Sequence, residues 1–265
     1  MSKIEIRNIS MDYVEKNTRF TALKNVSLSI EKGEFVSILG SSGCGKSTLL
    51  SILEGLRKPA EGEVYIDEKI VTGPGKDRGV VFQNYSLFPW MTAKRNVIYG
   101  IEQTAKSLSH QERRERAEAF LDKVELTPYQ NKFPLQLSGG QQQRVAIARA
   151  LAMDTEILLM DEPFGALDPR TRVSLQKLLL SLWRSEQGEK KTVVFVTHDV
   201  DEAIYLSDRI IIMRPNPGRI YQEVHVPFQR PRDRDTLINT KAYRQFRSDV
   251  VELFYYAEAE REEAV

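Results

Sequence analysis

The sequence predicts an α/β fold, and three observations carry the prediction. Short apolar runs at residues 35–39 and 157–160 have the look of strands buried on both faces. Each gives way to a polar or glycine-containing turn and then to a segment with helical spacing of its apolar residues. Between the first run and its helix lies Gly40-Ser41-Ser42-Gly43-Cys44-Gly45-Lys46-Ser47, a glycine-rich loop in strand–loop–helix context.

The remaining elements follow in order. Residues 4–9 and 26–30 read as strands; in the second, Val26, Leu28 and Ile30 alternate with Ser27 and Ser29, so one face is wet. Residues 46–56 read as a helix closed by Pro59, and 63–66 and 79–82 as further short strands. From 85 to 137 charged helical segments replace strands, as in a helical insert. Ser109 and Glu112 form a capping box there, and Ala117, Phe120, Leu121 and Val124 make one apolar face behind it. A helix is expected from Gln141 to about Met153, then a strand at 157–161 that ends in carboxylates. Asp168-Pro169 starts another helix, with Leu175, Leu178, Leu179 and Leu182 on its apolar face and Gly188 at its end. Strands at 192–197 and 209–213 and a turn at Pro215-Asn216-Pro217-Gly218 come next. Residues 228–235, polar with two prolines, read as a linker; Tyr243, Phe246, Val250 and Phe254 then mark a final amphipathic helix. The expected organisation is a main domain over 1–225, with the helical insert at about 85–137, and a linker plus helical extension over 226–265.

Composition narrows the function classes. The chain has 265 residues, with 38 Lys and Arg against 37 Asp and Glu. A net charge of +1 argues against a dominant nucleic-acid footprint and leaves only a local basic patch open. The single cysteine, Cys44, cannot form an internal disulfide, which suits a reducing compartment. The first seven residues have no apolar signal core, and no run approaches the roughly 18 apolar residues of a membrane span. Any service to a membrane is expected to go through partners.

The glycine-rich loop matches G-x-x-x-x-G-K-[ST] in full. Its backbone N–H groups suit the phosphates of a nucleoside triphosphate, Lys46 the outer phosphates and the Ser47 hydroxyl a Mg²⁺ ion. Gly40, Ser41, Ser42, Gly43, Cys44, Gly45, Lys46, Ser47 and Thr48 are therefore the expected phosphate-binding set. Cys44, at a helix start, is either a thiol of lowered pKa or a small residue that fits the loop. Ser138-Gly139-Gly140-Gln141 is a second candidate: a Ser-x-x-Gln capping box at a helix start, where two glycines admit a phosphate. Asp161 and Glu162 stand at the carboxyl end of a strand, where ligands of open α/β sheets sit. Asp161 suits Mg²⁺ through water and Glu162 an attacking water; alone, the pair would read as a solvated turn.

Taken together these motifs resemble the ATPase subunit of an ABC transporter, over residues 4 to about 220. Leu137 to Gln141 is identical to the LSGGQ signature of that family. Gln83 matches the Q-loop glutamine and His198 the switch histidine; Gly165-Ala166-Leu167-Asp168 resembles the D-loop, with Gly165 where Ser is commoner. Tyr13 is the candidate for stacking on adenine, the plainer alternative being packing at a sheet edge. The resemblance implies a P-loop NTPase cassette with an antiparallel β subdomain, a helical subdomain and a C-terminal helical extension. It implies ATP and Mg²⁺, with Glu162, His198 and Gln83 as catalytic groups and Ser47, Gln83 and Asp161 on the metal. Tyr13, the loop residues, Ser138, Gly139, Gly140, Gln141 and Asp168 would bind nucleotide. It further implies a head-to-tail pair of cassettes, transmembrane permease subunits, an extracytoplasmic solute-binding protein acting indirectly, and a place on the cytoplasmic face of the cell membrane. No nucleic acid is expected as a partner.

A finer resemblance is to importers of nitrate, sulfonates and taurine. It rests on the run from Gly73 to Gln83, on Phe88-Pro89-Trp90, on Asp161 to Asp168 and on Pro217-Gly218-Arg219-Ile220. Phe88-Pro89-Trp90 reads either as a permease-docking surface or as a core turn. His110 and His225 read as surface or cap residues. The rival class is a soluble ABC ATPase acting on nucleic acid or ribosomes. A plain P-loop kinase or GTPase would not need the second phosphate-binding helix start.

Overall fold

The computed structural model describes residues 2–15, 18–165, 167–183 and 190–259. In chain order the elements are β1 (Ser2–Glu15), β2 (Thr18–Glu31), β3 (Phe35–Leu39), α1 (Lys46–Leu53), β4 (Glu61–Ile66), β5 (Lys69–Ile70), β6 (Arg78–Val81), α2 (Ala93–Thr104), α3 (His110–Lys123), α4 (Gly139–Ala152), β7 (Ile157–Asp161), α5 (Pro169–Trp183), β8 (Thr192–Thr197), α6 (Val200–Leu206), β9 (Arg209–Arg214), β10 (Arg219–His225), α7 (Arg234–Ile238) and α8 (Lys241–Ala259). Contacts divide the chain into two units, Met1–Pro74 with Thr192–Val265, and Gly75–Lys191.

The first unit holds an antiparallel sheet in the order β2-β1-β4-β5. Val26, Leu28 and Ile30 point inward and Ser27 and Ser29 outward, as their alternation requires. The hairpin β1–β2 is much longer than the two runs expected from sequence. Its outer part pairs Tyr13 with Phe20 and Val14 with Arg19, and residues 18–20 are exposed, so no apolar alternation announces it. A second sheet in this unit runs β10-β9-β3-β8, with β3 parallel to both β8 and β9. Every residue of β3 and β8 is buried, the both-faces burial that their apolar runs predict.

Helix α1 stops at Leu53, before the expected 56. Gly55 takes a φ of +78°, and a Cβ there would stand 2.2 Å from the carbonyl oxygen of Gly73. The left-handed glycine ends the helix before Pro59 can.

Residues 228–235 do not behave as a linker. The Phe228 ring packs 5.9 Å from that of Tyr243 and 5.5 Å from that of Phe246, and Arg232 is buried. Helix α8 lays Tyr243, Val250 and Ala257 against Leu39, Ala203, Ile204, Ile210 and Ile212, with Phe246 and Phe254 partly covered. The final amphipathic helix thus faces the core as its spacing predicts.

In the second unit β6 and β7 pair in parallel, and α2, α3 and α4 pack on one another. Ser109 and Glu112 close the expected capping box on α3, which buries Ala117 and Leu121. Phe120 is only half-buried and lies under Lys123, whose Nζ is 4.8 Å from the ring centroid. Helix α5 starts behind Asp168 and Pro169 and buries Leu175 and Leu179; the expected stop at Gly188 lies outside the described residues. Among the described residues no helix is long and apolar enough to cross a membrane.

Candidate nucleotide site

The phosphate loop is the turn between β3 and α1. Gly43 and Gly45 have φ of +82° and +95°, where L side chains are strained. A Cβ on Gly40 would stand 2.5 Å from Cys44 Sγ and 3.0 Å from the Met213 carbonyl oxygen. No side chain caps α1, whose N-cap is Gly45, so its first-turn N–H groups are left for an anion. Lys46 is buried, and its Nζ donates to the carbonyls of Gly40 at 2.7 Å and Ser41 at 2.8 Å. The Ser47 side chain is exposed. Thr48 Oγ1 lies 3.3 Å from Tyr13 Oη, which sets the half-buried Tyr13 ring beside the first turn of α1. Arg57 covers that ring at 5.1 Å from its centroid. The floor of the loop is Gly218, whose N–H donates to Ala22 O and whose carbonyl accepts from Lys24 N, each at 3.0 Å.

Of the two readings of Cys44, the small fitting residue is the one seen. Its side chain is buried, and burial pushes the thiol up, with Lys46 only partly offsetting it. A buried thiol has lost more solvation for its thiolate than the helix start returns.

His198 belongs to the same unit. Leu39 of β3 pairs with Thr197 of β8, so Gly40 and His198 leave the sheet at the same end, each one residue beyond a paired position. His198 is exposed. The turn that carries it is fastened to α6. Asp199 caps that helix by accepting from Glu202 N at 3.1 Å, and Thr197 Oγ1 donates to the buried Glu202 carboxylate at 2.9 Å.

In the second unit Gln83 is exposed, two residues past β6. Val81 pairs with Met160, so Gln83 and Asp161 leave the strand pair at the same end. Tyr85 and Ser86, just after Gln83, have φ of +58° and +45°. Arg149 of α4 holds this strained turn by donating to Ser86 O at 2.8 Å and Tyr85 O at 3.2 Å. Burial lowers the pKa of that guanidinium.

Asp161 ends β7, and Glu162 follows with a φ of +44°. Gln143, fully buried on α4, donates through Nε2 to the carbonyls of Pro163 and, at 3.5 Å, Glu162. The capping box at the start of α4 is complete: Gln141 N donates to Ser138 Oγ at 3.3 Å, and Ser138 N to Gln141 Oε1 at 2.9 Å. Ser138 and Gly139 are exposed; a Cβ on Gly139 would lie 3.2 Å from Tyr85 Oη and one on Gly140 3.4 Å from Leu167 Cδ2. Asp168 caps α5, accepting from Arg170 N and Thr171 N, and a hydrogen bond with the Thr171 side chain, followed by these backbone bonds, holds its carboxyl below the usual range. Ala166, within the expected D-loop, lies outside the described residues. Phe88 stacks with Tyr99 at 4.7 Å, while Trp90 is 68% exposed, so this turn is only half core.

Arg149 and Gln143 carry weight that no sequence motif assigned to them, and Gly218, read in sequence only within a turn and the finer resemblance, supports the phosphate loop. Each works through backbone atoms more than 15 residues away in sequence, which leaves no local pattern to read.

Residues 23–165 match the family model described as ABC transporter. The bicarbonate transport ATP-binding protein of Synechocystis is 44% identical over 95% of this chain and 89% of its own length. The nitrate import ATP-binding protein of Synechococcus elongatus is 44% identical over 89% of this chain and 85% of its own. A solved cassette, a dimeric post-hydrolysis state bound to ADP and Pi, superposes with a TM-score of 0.77 at 43% identity, covering 85% of this chain and all of that one.

Proposed function

The chain belongs to the ABC transporter family, and from that membership we propose that it is the ATP-hydrolysing subunit of a membrane importer for a small anion. The observation that carries the reading is the presence, in one chain, of a phosphate loop at Gly40–Ser47 and a second glycine-bearing helix start at Ser138. In the proposed unit two copies face head to tail. ATP lies between the phosphate loop of one copy and the Ser138–Gln141 helix start of the other. The dimeric cassette bound to ADP and Pi supports the pairing.

Lys46 and the N–H groups of α1 take the phosphates, and Tyr13 offers its ring to the base. Glu162 accepts the proton of the attacking water, and His198 and Gln83 contact the γ-phosphate end. The donor chemistry fits Mg²⁺: Ser47, Gln83 and Asp161 offer only hard oxygens, and Mg²⁺ needs few protein ligands because it keeps several waters. The ion would neutralise phosphate charge. ATP drives pairing only through its preference for the paired state, and hydrolysis removes that preference. Exposed Trp90 suits contact with permease subunits, which would hold the chain at the cytoplasmic membrane face. Relatives named for nitrate and for bicarbonate share the same 44% identity, so the class of small anion is proposed and no single solute.

The test is Glu162→Gln in the purified chain. It should form a dimer that depends on ATP and persists for want of hydrolysis. A monomer with or without ATP would count against the reading.

A further inference from the structure

Helix α6 starts two residues after His198 and is only seven residues long. A helix so short has little stability of its own and must be held from outside. The C-terminal segment holds it at both ends. At the first turn, Asp201 Oδ1 accepts from Tyr243 Oη at 2.7 Å and from Arg247 Nε at 2.8 Å, both on α8. At the last turn, Arg232 Nη1 donates to the carbonyls of Ile204, Tyr205 and Ser207 at 3.0, 2.9 and 2.7 Å. Its Nε donates to Phe228 O at 3.0 Å, which fixes the guanidinium in its own segment. Arg230 adds bonds to the Leu206 carbonyl and, at 2.7 Å, to Asp208.

These are the carbonyls that a helix end leaves unpaired, and a cation there meets the negative end of the dipole. Burial lowers the pKa of Arg232 to about 10, so it remains charged at neutral pH. At the other end, Asp199 and Glu202 tie the first turn of α6 back to Thr197 and so fix the turn that carries His198. A shift of α6 therefore moves His198. Apolar packing of α8 alone would not require the Asp201 clamp, since Tyr243, Val250 and Ala257 already face the core.

We propose that the segment from Phe228 to Arg247 is a brace that positions His198 through α6, with Arg232, Tyr243 and Arg247 as positioning residues. The proposal rests on the reading of His198 as a group at the γ-phosphate. The pair Tyr243→Phe with Arg247→Met, in the full chain, removes both donors to Asp201 and leaves the apolar face of α8 in place. It should lower kcat for ATP roughly three- to tenfold while KM stays within about twofold. Arg247→Lys, with Tyr243 intact, should keep most of the activity.

A second readout does not depend on turnover. The chain has three histidines, so their ring resonances can be followed one by one in an NMR spectrum. The paired variant should move the His198 signals and leave those of His110, on α3, in place. Unmoved His198 signals overturn the brace, and so does an unchanged kcat in the paired variant where His198→Ala itself lowers kcat. His198→Ala is run alongside: if it retains wild-type kcat, the reading of His198 fails, and a shift of its signals in the paired variant would still report the brace.

Discussion

One methyl group on Gly218 should disable a nucleotide site more than 170 residues upstream. A Cβ there would lie 2.3 Å from the Cys44 carbonyl oxygen and 2.6 Å from that of Ala22. Ordinary contact begins near 3.4 Å, so the two shortfalls are about 1.1 and 0.8 Å. Both neighbours are backbone, one within the phosphate loop and one in β2, so no flexible side chain can swing aside. Overpacking of this kind costs about 1–3 kcal/mol. The strain also pulls on the paired bonds of Gly218 with Ala22 and Lys24, and losing one would add about 1–3 kcal/mol. Gly218→Ala should therefore destabilise the chain by about 2–6 kcal/mol, a large part of an ordinary domain stability. Urea unfolding measures that loss. Titration with a fluorescent ATP analogue should show affinity falling at least about tenfold, because the Cys44 peptide must move. Gly73→Ala is the control, since its Cβ would meet nothing within 4 Å, and it should be silent in both assays. If Gly218→Ala unfolds within about 0.5 kcal/mol of the parent and binds the analogue equally well, the inference from contact geometry is wrong.

Arg149→Lys should loosen the turn after Gln83, since a shorter side chain with a single nitrogen replaces the planar fork that meets the two carbonyls through separate nitrogens. Faster amide hydrogen exchange at Tyr85 and Ser86 would show it, and unchanged exchange would contradict it. Cys44 should react with iodoacetamide at neutral pH only as fast as the chain unfolds, because its thiol is buried and its pKa raised; rapid labelling of the folded chain would refute this. Burial pushes Asp201 up, but its bonds from Arg247 and Tyr243 outweigh that and leave its pKa below the ordinary 3.8. A lowered folded pKa gives stability that is present above 3.8 and lost as pH falls through the folded value. The stability gap between the parent and Asp201→Asn should thus be full at neutral pH and close below about 4, as followed by urea unfolding across pH.

The strands whose bounds are legible in the sequence are those built on a nearly continuous apolar run. β3, β7 and β8 were bounded correctly because apolar runs stop where polar turns begin. The outer half of the β1–β2 pair is not legible in this way, since exposed Thr18, Arg19 and Phe20 carry no alternation and owe their strand to their partners on β1. The same division holds for the site. The phosphate loop and the Ser138 capping box are local devices, each complete within a few residues, and so can be read from one stretch of chain. Arg149, Gln143 and Arg232 look in sequence like any solvated polar residue. Their partners are carbonyl oxygens, which every residue has, at positions only the fold selects.

The floor beneath the phosphate loop bears on where this protein can be cut. The stretch that matches the family model ends at residue 165, yet Met213 crowds Gly40 and Gly218 supports Cys44 and Ala22. A fragment trimmed to the stretch that matches the family model would keep every letter of the phosphate loop and lose the surface that gives it shape. Shortening this chain to a minimal ATP-binding piece, or splitting it into two complementing halves, has to carry the turn at residues 215–218 along with the loop it supports.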